Sequence, residues 1–373
     1  MSRRAILFSL SVLGLAAGGS RATAEPVFLS RQYARCTSCH FSPTGGGLLT
    51  PYGRSLSREE LSTFGVRRSP GSPGREQEFL FGATGETLRP VGVGIDLRPS
   101  HLEFDSPGGS STRDLLMNAD LTAAMQRGAW TFYAQLGRQP HEDARVASFE
   151  HWVSFKTERG LGVRAGRFLP AYGVKLADHT SFTRASLGLG NDDQVYGLEL
   201  SFTGSRHLLQ VSAGPGYADS VDDDGRRAFT ATGRWQFDLR PRVVLVASGM
   251  LRDASDLDPR SGATGLALGI APASRLTLWT QADARFSEGT SGGPAYTLLA
   301  DAAFEVYRGV WVKFSPQLRT AFGDGSAGVA RLGFGLNLLP RTHWNVLLSF
   351  YRDRDRQTDR TTKTLLLQLH LYL

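Results

Sequence analysis

Apolar and polar residues alternate through most of the chain from Arg89 onward. In residues 229–237 the odd positions are mostly apolar and the even positions are mostly polar. In residues 365–373 every odd position is leucine. A period of two is typical of a β-strand whose two faces meet different surroundings, and it does not fit a helix. The pattern therefore predicts an all-β structure for residues 89–373.

About sixteen such segments can be counted, each near the length that a membrane β-strand needs. An even number is typical of bacterial outer-membrane barrels. A soluble β-sandwich would also alternate, but five alternating leucines at the end of the chain favour a face in lipid. We therefore expect a transmembrane barrel of antiparallel strands. The predicted strands start near Pro90, Thr112, Ala129, Val146, Leu161, Gln194, His207, Arg227, Arg242, Ala263, Arg275, Ala295, Val310, Gly328, Thr342 and Lys363.

The links between these segments alternate between short and long. Short links occur at residues 127–128, 158–160, 204–205, 239–241, 272–274, 308–309 and 340–341. Long polar links fall between them, for example at residues 217–225, 253–261, 287–294 and 353–360. Outer-membrane barrels have short periplasmic turns and long outer loops. The alternation therefore predicts that both chain termini lie on the periplasmic side.

The longest link, residues 171–193, follows the fifth predicted strand and contains Lys175, His179 and Arg184. Pro170 precedes it and cannot donate a hydrogen bond to a sheet ladder, so the strand must end or bend there. By analogy with general porins, we expect this link to fold into the lumen as a constriction.

The first residues read as a secretory leader. Arg3 and Arg4 precede an apolar run, and Ala22-Thr23-Ala24 offers a small-residue cleavage site. Removing residues 1–24 takes away three arginines and no acidic residue, so the formal net charge falls from +7 to +4. This mild charge gives no reason to expect a nucleic-acid partner. The leader predicts export from the cytoplasm.

Cys36-Thr37-Ser38-Cys39-His40 forms the C-x-x-C-H signature of c-type haem attachment. Two thiols at this spacing add to the two vinyl groups of a porphyrin, and the following histidine binds the iron. The chain has two cysteines, and both lie in this motif. A redox disulfide would need a thioredoxin-like surrounding pattern, and zinc would need a second ligand pair nearby; the sequence offers neither. We predict one covalent haem c on Cys36 and Cys39, with His40 as the proximal iron ligand.

Residues 25–88 form a small segment around this motif. The run Gly45-Gly46-Gly47 indicates a loop, and Ser57-Arg58-Glu59-Glu60 resembles a capping box at the start of a short helix. Such a segment is too small to bury a core alone. It must gain stability from haem or by docking in or at the barrel. The chain is thus predicted to comprise a leader (1–24), a haem segment (25–88) and a barrel (89–373).

The residues flanking the motif resemble the fused outer-membrane cytochrome–porins, a family that includes iron-oxidising monohaem proteins. The resemblance is carried by Phe28-Leu29-Ser30-Arg31-Gln32 before the motif and Thr50-Pro51-Tyr52-Gly53-Arg54 after it. It covers about 40 residues, and the Gly45-Gly46-Gly47 run departs from the family's pattern. The resemblance implies electron transfer and names ferrous iron as a candidate donor.

An electron-carrying haem usually has a second axial ligand, a histidine or a methionine. Neither residue occurs between Phe41 and Ser100, so the barrel, another subunit or no protein group supplies it. Alternation predicts that Met117 and Met125 face lipid, and it places Met250 near an outer rim. We predict His179 as the distal ligand. His343 and His370 are the next candidates, and we expect both in the lumen near the periplasmic mouth.

The sequence is therefore compatible with two functions. One is electron transfer through the outer membrane, between an extracellular donor or acceptor and a periplasmic carrier such as a cytochrome. The other is a diffusion porin whose haem segment is a plug, a sensor or a structural element. An enzyme such as a peroxidase would need a distal acid–base pair that the sequence does not reveal.

Overall fold

The computed structural model describes residues 26–64, 91–138, 146–176, 178, 180–190, 193–215, 228–253, 259–290 and 292–372. Sixteen antiparallel strands form a closed barrel in which β1 pairs with β16. The predicted barrel is confirmed, and each predicted start lies within three residues of an observed one. The strands are β1 Val91–Ser106, β2 Gly109–Arg127, β3 Trp130–Arg138, β4 Ala147–Lys156, β5 Leu161–Phe168, β6 Val195–Thr203, β7 His207–Pro215, β8 Phe229–Arg240, β9 Val243–Arg252, β10 Ser261–Ala273, β11 Leu276–Ser287, β12 Ala295–Tyr307, β13 Val310–Thr320, β14 Gly328–Leu338, β15 Trp344–Asp355 and β16 Thr361–Tyr372.

The two faces of the barrel follow the sequence alternation. In β8, Phe229 and Trp235 are exposed on the outer surface, whereas Thr230 and Gln236 are buried toward the lumen. The other strands expose leucine, valine and aromatic side chains on the same outer surface. An apolar outer band and a polar inner wall suit a barrel that lies in lipid.

The predicted alternation of link lengths has one exception. β1 and β2 pair up to Ser106 and Gly109, so only Pro107 and Gly108 join them at the outer end. Gly109 has φ +134°, a conformation that a glycine adopts without steric cost. The prediction of an unbroken alternation was therefore wrong at this first outer link.

A β-bulge interrupts the pairing of β1 with β2. Arg98 pairs with Asn118 and Pro99 with Leu116, so Met117 has no residue opposite it. Pro99 has no N–H to donate, and prolines within sheets occur at such irregularities. The extra residue places Met117 against an internal cavity instead of lipid. The prediction that Met117 faces lipid was therefore wrong. Met125 lies beyond the bulge and shares the outer face with Leu121, as predicted.

The described N-terminal residues 26–64 enter the lumen. They comprise a 3₁₀ helix (Pro26–Arg31), a 3₁₀ turn (Cys36–Ser38) and helix α1 (Pro51–Leu56), which continues as a π turn (Ser57–Leu61). Thr50 caps α1 by accepting a hydrogen bond from Gly53 N at 3.1 Å. The predicted helix start at Ser57 was therefore wrong, because Pro51 occupies the first turn and Ser57 lies beyond its end. None of the helices in the described residues is long and apolar enough to span a membrane.

Contacts with the periplasmic end of the barrel hold this segment in place. Arg35 bonds to the side chain of Asp238 and to the carbonyl of Gly204 at 2.8 Å. Thr63 N donates to Leu339 O at 2.8 Å. An apolar cluster joins both parts of the chain, with Phe28 packed edge-on against Trp311. The segment therefore draws its core from the barrel wall. The leader and residues 65–90 lie outside the described residues.

Candidate functional site

The C-x-x-C-H motif forms a tight turn at the edge of a cavity inside the barrel. The amides of Cys39 and His40 both donate to Cys36 O, at 3.2 and 3.1 Å. Neither cysteine forms a disulfide. Cys36, Cys39 and His40 all line one cavity of about 460 Å³, a size that suits a ligand pocket. The motif therefore presents its three reactive groups to a single internal space.

The His40 ring is arranged as a metal ligand would be. Its Nδ1 lies 3.4 Å from Gly47 O. Metal-binding histidines commonly use one ring nitrogen for a carbonyl or carboxylate and give the other to the metal. Burial lowers the pKa of His40 to about 4, so the ring is neutral at pH 7, as an iron ligand must be.

The glycine run brings the chain close to this motif. Gly45 and Gly47 have φ of +79° and +61°. A Cβ on Gly45 would lie 3.0 Å from Cys36 Sγ, and a Cβ on Gly47 would lie 2.1 Å from the hydroxyl of Tyr133. Only glycine fits at Gly47 without displacing Tyr133, so the close approach depends on it.

The barrel side of the cavity is polar and charged. Arg98 makes two bonds of 2.8 Å to Asp96, whose other neighbour is His370 Nε2 at 3.2 Å. Lys175 reaches in from the link between β5 and β6 and donates to Gly45 O at 2.8 Å. Burial lowers the pKa of Lys175 to about 8. Arg98 and Lys175 give the cavity two basic side chains.

The β5–β6 link lies inside the lumen, as expected from the analogy with porins. It contains a short helix α2 (Phe182–Ala185), which packs near β11 to β13. Arginines of the barrel wall donate hydrogen bonds of 2.8–2.9 Å to backbone carbonyl groups of the β5–β6 link. These bonds join Arg234 to Gly173, Arg285 to Ser186, Arg252 to Gly188 and Arg331 to Thr180.

The candidate distal ligands divide into separate regions. His179 lies outside the described residues and stays a prediction; its neighbours Asp178 and Thr180 do not line the cavity. His370 lines the cavity, whereas His343 sits in the β14–β15 turn with φ +71° and does not. Met250 is buried among loop side chains such as Leu187.

Met117 lines the cavity although the apolar–polar alternation of the sequence predicts that it faces lipid. Its side chain lines the same cavity as His40. The available signal was Pro99, because a proline within a predicted strand marks an edge or a bulge.

These residues fit a c-type haem. They supply two thiols that form no disulfide, and a neutral imidazole whose Nδ1 faces a carbonyl oxygen. The cavity is lined by basic side chains (Arg98 and Lys175) and by acidic ones (Asp96, Glu150 and Asp193). Among the described residues there is no cluster of three or more His, Cys, Asp or Glu side chains suited to a metal ion.

No protein-family model and no curated protein matches the sequence. Solved barrel structures do match, and each of the three below covers 76% of this chain. OprB of Pseudomonas putida has a TM-score of 0.61 and 8% identity over 94% of its length. OmpF of Salmonella typhi, solved with daunomycin, has a TM-score of 0.59 and 10% identity over 97% of its length. An anion-selective porin from Comamonas acidovorans has a TM-score of 0.55 and 11% identity over 99% of its length.

The barrel has the porin fold. This chain is therefore an outer-membrane barrel in contact with lipid. The first strand begins and the last strand ends at the barrel end that carries the short turns, which is the end predicted to be periplasmic. At this level of identity the likeness concerns the fold alone. The resemblance to fused cytochrome–porins rests on the sequence around residues 28–54 and stays a prediction.

Proposed function

We propose that this chain holds one covalent haem c in its lumen and transfers electrons across the outer membrane. One observation carries the proposal: Cys36, Cys39 and His40 line a single cavity inside the barrel. The hydrocarbon layer is about 30 Å thick and insulating, so a redox group within the barrel would serve as a relay.

The residues around the cavity have separate roles in this proposal. Cys36 and Cys39 would hold the haem through one thioether bond each, and addition across a vinyl group would leave the thiol hydrogen on the other vinyl carbon. His40 would bind the iron through Nε2, since its Nδ1 faces Gly47 O. Lys175 would place its positive charge near a propionate, whereas the Arg98 guanidinium already pairs with Asp96. When bound, haem supplies a one-electron ferric–ferrous couple.

The partners follow from the position of the site. The haem segment docks on periplasmic turns, so a periplasmic cytochrome or similar carrier would exchange electrons on that side. An extracellular donor or acceptor would act through the outer mouth. Ferrous iron is the first donor to test, on the basis of the sequence resemblance.

Proteoliposomes test the proposal directly. An impermeant reductant outside should reduce a cytochrome trapped inside when the wild-type protein spans the wall. The matched control is Cys36→Ser/Cys39→Ser protein, checked for folding by the altered gel mobility of unheated barrels. Equal transfer through the control would mean leakage, and no transfer through haem-loaded wild type would overturn the proposal. If ferrous iron fails where other reductants work, only the iron assignment is lost.

A diffusion porin is the second candidate, and the porin fold favours it. In that case residues 26–64 act as a plug, a sensor or a structural element in the lumen. Planar-bilayer recordings separate the two functions. A diffusion porin should conduct small ions steadily and lose none of this conductance when the cysteines are replaced.

A further inference from the structure

We infer that the thioether sulfur of Met117 is the second axial ligand of the haem iron. This inference rests on the proposed haem site and names the group that would complete it. Methionine sulfur and histidine nitrogen are common ligand pairs in electron-carrying cytochromes.

The bulge opposite Pro99 creates this possibility. With regular pairing, Met117 would lie on the outer face of β2, together with Leu121 and Met125. Because the extra residue falls at Met117, Leu116 is exposed outside while Met117 and Asn118 lie toward the lumen. Bulges often occur beside functional sites, where they redirect a side chain.

The contact that the Met117 sulfur makes is a polar one. Asn118, Gln368 and Arg98 also line the cavity wall, and Gln368 Nε2 lies 3.4 Å from Met117 Sδ. Methionine usually packs in an apolar core, whereas this sulfur lies beside the amide of Gln368 at a cavity with a mixed polar and apolar lining. Iron coordination would account for a sulfur at this point.

The other methionines of the described residues lie elsewhere. Met125 faces outward, and Met250 packs in an apolar cluster with Tyr172. Of the described histidines, only His370 joins His40 at the cavity. His370 Nε2 lies 3.2 Å from Asp96 Oδ1, and Arg98 holds Asp96 in place. This approach lacks hydrogen-bond geometry, so His370 is the competing candidate. To reach iron, the His370 ring would have to leave the negative charge of Asp96, whereas the Met117 sulfur would give up only a contact with the neutral amide of Gln368.

Spectroscopy of the haem-loaded protein tests the assignment. The ferric wild type should be low-spin and show the sulfur-to-iron charge-transfer band of histidine–methionine haem. Met117→Leu should lose that band, become high-spin and have a lower midpoint potential, while the covalent haem stain persists. Met117→His should restore a low-spin spectrum of the bis-histidine type. Met125→Leu is the matched control and should leave every band unchanged.

Several outcomes would overturn the inference. A bis-histidine spectrum in the wild type, or an unchanged spectrum in Met117→Leu, removes Met117 as a ligand. Loss of the low-spin state in His370→Gln or His179→Ala, but not in Met117→Leu, would assign the ligand to that histidine. The wild-type spectrum decides the question even if a variant fails to fold. A wild type that binds no haem in a competent host would instead refute the underlying haem proposal.

Discussion

Lys175 Nζ donates a 2.8 Å hydrogen bond to the carbonyl oxygen of Gly45. The two residues belong to different inserts in the lumen, because Lys175 lies in the β5–β6 link and Gly45 lies in the N-terminal segment. The bond therefore joins the constriction to the C-x-x-C-H motif. It also places a buried amine at the cavity that we assign to haem.

Replacing Lys175 should change the haem potential. A nearby positive charge favours the ferrous over the ferric state, so Lys175→Gln should lower the midpoint potential, on the order of tens of millivolts. Lys175→Arg keeps the charge and serves as the control. Redox titration followed by the visible bands measures both. A potential that is equal in the glutamine variant and the wild type would mean that Lys175 does not act on the iron.

Arg35 should be needed to dock the N-terminal segment. Its guanidinium bonds to Asp238, Gly204 O and Ser205 O at 2.7–3.2 Å and is largely buried. Hydrogen bonds to charged groups contribute roughly 1.5–3 kcal/mol, so Arg35→Ala should release the segment while the barrel stays closed. Limited proteolysis of purified protein should then cut between residues 26 and 64.

The matched control for Arg35→Ala is Arg260→Ala. Arg260 pairs with Asp253 at 2.9 Å, but both side chains are more than half exposed. Exposed pairs of this kind contribute little. Equal protection of the segment in Arg35→Ala and Arg260→Ala would show that Arg35 does not hold it.

Gly53 should be required for haem attachment. A Cβ on Gly53 would lie 2.5 Å from the carbonyl oxygen of Cys39, so an alanine must push α1 away from the motif. Overpacking of this kind costs about 1–3 kcal/mol. We expect Gly53→Ala to reduce covalent haem per folded barrel. Gly233→Ala, where no atom lies within 4 Å, should stain like the wild type. Full staining of both variants would contradict this account of Gly53.

The barrel could be predicted because lipid and lumen impose opposite demands on alternate residues. This constraint acts along each strand, so period and link length were enough to give the strand number and closely approximate starts. The same constraint does not predict where a bulge occurs. Met117 changes face because of Pro99, which lies in the neighbouring strand, and a period measured along one strand cannot include that effect.

The contents of the lumen were harder to predict. Thr50 is an N-cap residue and Pro51 is a first-turn proline, so the sequence does contain the signal for the start of α1. The prediction placed the helix start at Ser57 instead. The bond between Lys175 and Gly45 was not readable, because 130 residues separate them and it depends on how two links fold inside the barrel. Composition and hydrophobic period do not indicate which residues of two separate segments will meet in the lumen.

Arg331 should hold the constriction in the lumen. Its guanidinium donates to Thr180 O at 2.8 Å, pairs with Asp353 at 2.7 Å and lies over the ring of Phe182. Arg331→Ala removes the contacts with Thr180 and Phe182 from this part of the β5–β6 link, together with the ion pair to Asp353 of β15. We expect a rise in single-channel conductance and more frequent current fluctuations in planar bilayers, because the link no longer has this anchor.

The control for Arg331→Ala is Arg354→Ala, which removes an exposed arginine of β15 that pairs with Asp359 in the β15–β16 loop. This variant should conduct like the wild type. A rise in both variants would indicate a general change at the outer mouth, and no rise in either would show that the link does not limit the pore. A rise confined to Arg331→Ala, with haem staining unchanged, would mean that the constriction controls ion flow independently of the haem segment.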